Sequence, residues 1–200
     1  MNVARILLPA PETMSPEQRA VFDAVVSGPR GALIGPLRAA LHNPELAGRW
    51  QQLGEILRYH TTLPARLSEL AIIVTARRWN SELEWVVHSN AARKAGLPET
   101  VIEAINAARP PEFEDRQDAE IYAFARELQM YGHVSEETYA PVRERWQERG
   151  VVELTAVIGY YTMVSMTLNA HRIPLPDDMR SDLLVREGEE IHLSTLPAGE

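Results

Sequence analysis

The side chains best suited to chemistry lie in one stretch, Arg77-Arg-Trp-Asn-Ser81-Glu-Leu-Glu84-Trp85-Val-Val-His88-Ser-Asn-Ala-Ala-Arg-Lys-Ala-Gly-Leu97. On a helix of about 3.6 residues per turn, steps of three and four return to the same face, so Ser81, Glu84, Trp85, His88 and Ala92 share one sector. A carboxylate and an imidazole four apart can hydrogen-bond there, and partial burial sets desolvation of the pair against their mutual attraction. Leu83, Val86 and Val87 make the remaining surface apolar. That pattern predicts a helix packed on both sides, with Glu84 and His88 held between elements rather than in free water. Upstream, Glu69 shares a sector with Ile72, Ile73 and Ala76 rather than with Arg66 and Arg78. An acid in apolar surroundings is the usual route to a proton donor active near neutral pH. The plain alternative is a solvated Glu84 and His88 pair that stabilises its helix by about 0.3 kcal/mol and does nothing else.

Holding these residues is a task for helices, because Pro and Gly punctuate the chain while alternating strand patterns are nearly absent. The reading is all-α. Ser15, Pro16 and Gln18 make a helix start for 15–26, since the serine oxygen can take a free backbone N–H and Gln18 can reach back. The loop Gly28-Pro29-Arg30-Gly31 to Gly35-Pro36 lacks the Gly-Lys-Ser/Thr ending that cradles a phosphate. Helical periodicity then covers 37–41, 44–59, 64–79, 81–95 and 98–108, and after the break at Arg109-Pro110-Pro111 it covers 115–131, 135–149 and 151–172. One helical domain, residues 1–176 with its core at about 43–174, is followed by a polar, acidic tail, 177–200, that lies over the domain or over a neighbouring subunit. The segment starting at Leu67-Ser-Glu69 can be laid on the one starting at Val152-Glu153, each with an acid heading a buried helix and a histidine further on, His88 or His171. Such a match implies a helical unit used twice.

Composition narrows the function. Twenty Lys plus Arg against 28 Asp plus Glu give a net charge of -8, so no basic field exists to hold nucleic acid. No run approaches the roughly 20 consecutive apolar residues of a membrane span, and the N-terminus is too short in apolar residues for a secretory signal. The expectation is a cytoplasmic protein with no membrane partner. With zero cysteines, disulfides, thiolate metal sites and every thiol peroxidase mechanism are excluded.

Three runs, Arg66-Leu-Ser-Glu69-Leu-Ala-Ile, Glu84-Trp85-Val-Val-His88 and Ala91-Ala-Arg-Lys-Ala95-Gly96-Leu97, resemble the carboxymuconolactone decarboxylase family, which belongs with alkyl hydroperoxidase D in one all-helical superfamily. The resemblance implies an AhpD-like helical fold. In the peroxidase branch the signature is a glutamate, eleven intervening residues, then Cys-x-x-Cys-x-x-x-His, and these positions fall on Glu69, Ser81, Glu84 and His88. Both sulfurs are missing, and neither a serine hydroxyl nor a carboxylate can run the thiol redox cycle. What the resemblance implies instead is a lyase without metal or organic cofactor, acting on a small carboxylated lactone or related organic acid from aromatic-compound breakdown. It also implies a homo-oligomer, trimer or hexamer, with pockets near subunit boundaries.

On this reading His88 is the principal acid or base, Glu84 its partner and Glu69 a second proton-handling group. Trp85 and Ser81 are candidate substrate contacts, and Arg77 is a candidate partner for a substrate carboxylate in the bidentate geometry arginine favours. Arg77 and Arg78 also stand where positive charge suits a helix C-terminus. Trp79 reads as core or subunit contact and His133 as a turn residue. Tyr160, Tyr161, Asn169 and His171 form a polar set within hydrocarbon, open to two readings, a site lining or a structural network. Met163 and Met166 read as packing, and the charge runs 143–149 and 187–190 as solvated faces. A metal held by Glu84, His88 and a third ligand is a lesser alternative, because the HExxH spacing is absent. Two further alternatives are an isomerase or hydrolase using the same Glu and His pair, and a ligand-binding or assembly protein without catalysis.

Overall fold

The computed structural model of the chain describes residues 4–184 and 191–196. Among these, the secondary structure is helical without strands: α1 (Pro16–Ser27), α2 (Pro36–Ala40), α3 (Pro44–Tyr59), α4 (Ala65–Arg78), α5 (Glu82–Lys94), α6 (Glu99–Asn106), α7 (Arg116–Tyr131) and α8 (Glu136–His171). Local chemistry sets the boundaries. Ser15 caps α1 in a reciprocal box, its Oγ accepting from Gln18 N at 3.2 Å and its own N–H donating to Gln18 Oε1 at 2.9 Å. Asn43 and Asp115 cap α3 and α7 through their side chains, and Gly132 ends α7 in the left-handed region at φ 73°. The two helices expected over 135–149 and 151–172 are present, joined without a loop within α8. It is interrupted at Gln147, whose φ of 58° and ψ of -178° break the helical path.

α4 is the centre of the fold, buried along most of its length and packed against α5, α7 and α8. One core cluster surrounds its Leu70, Ile73 and Val74 with Trp85, Ile102, Phe124 and Leu154. A second gathers Val25, Leu41, Trp50, Leu83, Tyr160 and Val164 around Ile72. Arg66 clamps the first turn of α4 to α7, donating to Asp115 at 3.0 Å and Asp118 at 2.8 Å. One stretch of α8 is long and apolar enough, by length and composition, to cross a membrane, yet half of it is buried inside the fold, as befits a core helix.

The described tail residues lie over the domain. Leu183 and Leu193 enter the first cluster, Tyr122 Oη donates to Ser194 O at 2.7 Å, and Arg126 Nε donates to Leu193 O at 2.8 Å. The acidic run expected at 187–190 lies outside the described residues.

Candidate active site

α4 and α5 form a helix hairpin whose connection turns at Asn80, with φ at 48°. Asparagine tolerates this left-handed conformation better than most side chains. The hairpin brings α5 back along α4, so that Glu69 in the second turn of α4 meets His88 in the middle of α5. His88 Nδ1 lies 2.6 Å from Glu69 Oε2, and Nε2 lies 3.3 Å from Glu84 Oε2. The sequence reading made Glu84 the first partner; the structure places Glu69 closer, because the tertiary contact is shorter than the i,i+4 one. All three side chains are buried, His88 at 2% exposure.

Burial alone pushes the His88 pKa down, but the Glu69 carboxylate, through charge and hydrogen bond, and then Glu84 outweigh it and raise the value from 6.5 to about 9. The imidazole between Glu69 and Glu84 therefore keeps its proton at neutral pH. The Tyr161 ring meets the imidazole edge-on at 4.7 Å, and Tyr160 meets Tyr161 at 5.2 Å. Burial, with the Glu84 charge adding to it, holds the Tyr161 hydroxyl well above its ordinary pKa, so it remains a protonated donor. No hydrogen-bond partner for that hydroxyl is present among the described residues.

Glu84, His88 and the two tyrosines line a small cavity that opens to solvent. Its polar wall is Glu84, His88, Tyr160, Tyr161, Arg30 and Arg58, and its apolar wall includes Ile34, Leu37, Leu83, Val87 and Val164. Gly35 enters it with φ at 59°, and a Cβ there would overlap the Leu83 side chain. Among the described residues no group of three or more His, Cys, Asp or Glu side chains is arranged to hold a metal ion.

The three residues expected to contact substrate lie elsewhere. Trp85, about 100° around the helix from Glu84, is fully buried in the first core cluster, and its indole N–H donates to Asp182 Oδ1 at 2.8 Å. Ser81 is fully buried at the N-cap of α5, its hydroxyl without a hydrogen-bond partner. Arg77 is fully buried and donates to the Asn80 side chain that shapes the turn. None of the three lines the cavity. Of the polar set on α8, Tyr160 and Tyr161 line it, while Asn169 donates to Trp79 O at 2.6 Å.

Arg30 and Arg58 escaped the sequence reading, one in a loop tested only for phosphate cradles and one on a helix with no other sign of chemistry. A signal was present in Gly54, a glycine in the interior of α3. A Cβ there would overlap the Tyr160 hydroxyl and the Arg30 guanidinium.

Residues 44–127 match the model of the Carboxymuconolactone decarboxylase family, a span that holds Glu69, Glu84 and His88. That stretch carries the family's pattern, in a chain with zero cysteines. No curated protein sequence matches it. Similar solved structures include an uncharacterized peroxidase-related protein from Silicibacter sp. TM1040, at TM-score 0.69 and 16% identity over 88% of this chain and 93% of that one. Another is the alkylhydroperoxidase AhpD core protein from Ralstonia eutropha JMP134, an uncharacterized peroxidase-related protein, at TM-score 0.70 and 16% identity over 89% and 95%. A third is a cysteine-to-alanine variant of the debrominase Bmp8 in complex with 2,3,4-tribromopyrrole, at TM-score 0.68 and 17% identity over 88% and 94%. At these identities the likeness establishes the helical fold of this chain. A thiol peroxidase cycle has no carriers in a chain with zero cysteines.

Proposed function

We propose that this protein is a lyase that acts on a small carboxylated lactone or related ring acid by proton transfer from His88. The observation that carries the reading is the buried imidazolium, held between Glu69 and Glu84 on the wall of a small cavity open to solvent. In the reaction the bond between a ring carbon and its carboxylate breaks and carbon dioxide leaves. The electron pair spreads into the conjugated lactone carbonyl, and the His88 proton then passes to carbon. Solvent returns a proton to the imidazole. The Tyr161 hydroxyl serves as hydrogen-bond donor to the carbonyl as negative charge develops there. This chemistry needs neither metal nor organic cofactor.

The test is a screen of carboxylated muconolactones for carbon dioxide release, with peroxide reduction as control. His88→Gln is expected to lower kcat by at least about 100-fold, the usual contribution of a positioned general acid. The wild-type rate should fall as pH rises through about 9, where His88 loses its proton. Unchanged turnover in His88→Gln would remove the assignment. A product of unchanged mass would point to an isomerase using the same groups.

Self-association belongs to the same proposal. Leu53 and Ile56 on α3 and Val152 and Met166 on α8 are exposed apolar side chains, and a light-scattering mass equal to the 22.5 kDa monomer would contradict it.

A further inference from the structure

Two arginines line the cavity without a part in proton transfer. Arg30 comes from the loop between α1 and α2, and Arg58 from the last turn of α3. In this acidic chain other arginines, among them Arg49, Arg66, Arg93, Arg116, Arg145 and Arg149, are paired with Asp or Glu. Among the described residues Arg30 and Arg58 have no carboxylate partner. Arg30 Nη2 donates to the Tyr160 hydroxyl at 3.3 Å, while its Nε is buried with no hydrogen bond. The Arg58 guanidinium lies 5.5 Å from the centre of the Tyr59 ring, and its charge also reaches the Tyr161 hydroxyl. A buried guanidinium donor left unmatched costs free energy that a bound anion recovers.

Gly54 supports the same conclusion from the opposite side. A glycine weakens a helix interior, yet here any side chain would overlap the Arg30 and Tyr160 heads. The backbone of α3 is kept bare where those two heads rest against it. From Arg30 the contacts run through Tyr160 and Tyr161 to His88, with ring separations of 5.2 and 4.7 Å. A cationic end and a proton donor thus share one small cavity, separated by two tyrosine rings.

We infer that Arg30 and Arg58 form a carboxylate subsite that anchors a small ring acid and aims its reacting carbon at His88. Its purpose rests on the proton-transfer reading; its binding chemistry does not. Two cations on a departing carboxylate stabilise the ground state and slow loss of carbon dioxide, so the carboxylate they hold is one that stays on the product. Arginine suits this role because its planar fork matches a carboxylate in two parallel hydrogen bonds.

Calorimetric titration of the full chain with 2-furoate and with its neutral counterpart 2-furamide tests the subsite without needing the true substrate. The acid is expected to bind at least about tenfold more tightly than the amide, the worth of one charge-assisted pair, and to weaken as salt rises. Arg30→Gln and Arg58→Gln should each lose about tenfold in furoate affinity and leave furamide affinity unchanged. Arg58→Gln carries the test if Arg30→Gln fails to fold, since Arg58 makes no hydrogen bond among the described residues. No furoate binding, equal binding of acid and amide, or full furoate affinity in Arg58→Gln overturns the subsite. His88→Gln separates the two readings. Furoate binding that depends on the arginines, combined with turnover indifferent to His88, upholds the subsite and sinks the proton-transfer role.

Discussion

Two segments of this chain carry the same pattern, an acid at the head of a buried helix and a histidine further on, and they fold to opposite ends. Glu69 and His88 lie 2.6 Å apart in the core. Glu153 and His171 belong to one element, α8, and 18 residues at about 1.5 Å each keep them roughly 27 Å apart. Glu153 instead accepts from the backbone and hydroxyl of Thr62, at 2.6 and 2.5 Å, and from Arg149 at 2.8 Å, anchoring the loop ahead of α4. The difference lies in the turn at Asn80, which folds the first segment into a hairpin. A chemical site is made when the chain reverses between the two groups, and spacing along a helix does not make one.

The comparison can be broken most strongly at Glu69. Glu69→Gln leaves a buried histidine with one charged partner, and urea unfolding at pH 7 should show a loss of about 3 kcal/mol. The same pair gives a pH signature. The folded-state pKa of His88 is raised from 6.5 to about 9, so its stabilisation is fully present below 6.5 and is lost as pH climbs through 9. Wild-type stability should decline by about 3 kcal/mol across that window, and Glu69→Gln should flatten the decline. A titration of the His88 ring by NMR that ends near 6.5 in the wild type would contradict the buried pairing.

Asn80→Val comes next, forcing a β-branched residue into φ 48° and removing the acceptor for Arg77. The expected cost is about 2 kcal/mol in thermal or urea unfolding, and Asn80→Gly should recover most of the backbone share. Glu153→Gln is the smallest. Burial raises the Glu153 pKa, but the Thr62 hydrogen bonds and Arg149 outweigh it and hold the carboxyl below its usual value. The stability it supplies is therefore lost on acidification. The variant should cost about 1 kcal/mol at pH 7 and leave the alkaline decline untouched. A change in that decline would show that the two segments are coupled.

Much of the fold was legible because its signals are local. Ser15 with Gln18, Asn43, Asp115 and Gly132 mark helix ends through bonds made within a few residues. A helix boundary was expected at Gly150, and the kink between the two helices falls three residues earlier, at Gln147. At the site, Glu69, Glu84 and His88 were readable, because acid and base at helical spacing in apolar surroundings are unusual. Trp85, Ser81 and Arg77 shared that stretch of sequence, yet each is turned into the core or the hairpin turn. A helical face is wide, and only the packing of α6, α7 and the tail shows that Trp85 looks away from the cavity. Arg30 and Arg58 gave no local sign, since an arginine in a loop or on a half-exposed helix has the same sequence signature whether or not it lines a pocket.

The amino-acid order alone determined an all-helical chain, the helix ends, the absence of thiol chemistry and an imidazole one helical turn from a carboxylate. Those follow from side-chain type and from bonds that close within one helical turn. Only the tertiary structure decided that Glu69 is the nearer partner, that the imidazole keeps its proton to about pH 9, and that two arginines and two tyrosines complete the cavity. These depend on groups remote in sequence meeting where water is excluded, and the strength of a charge interaction there is set by how its surroundings pack.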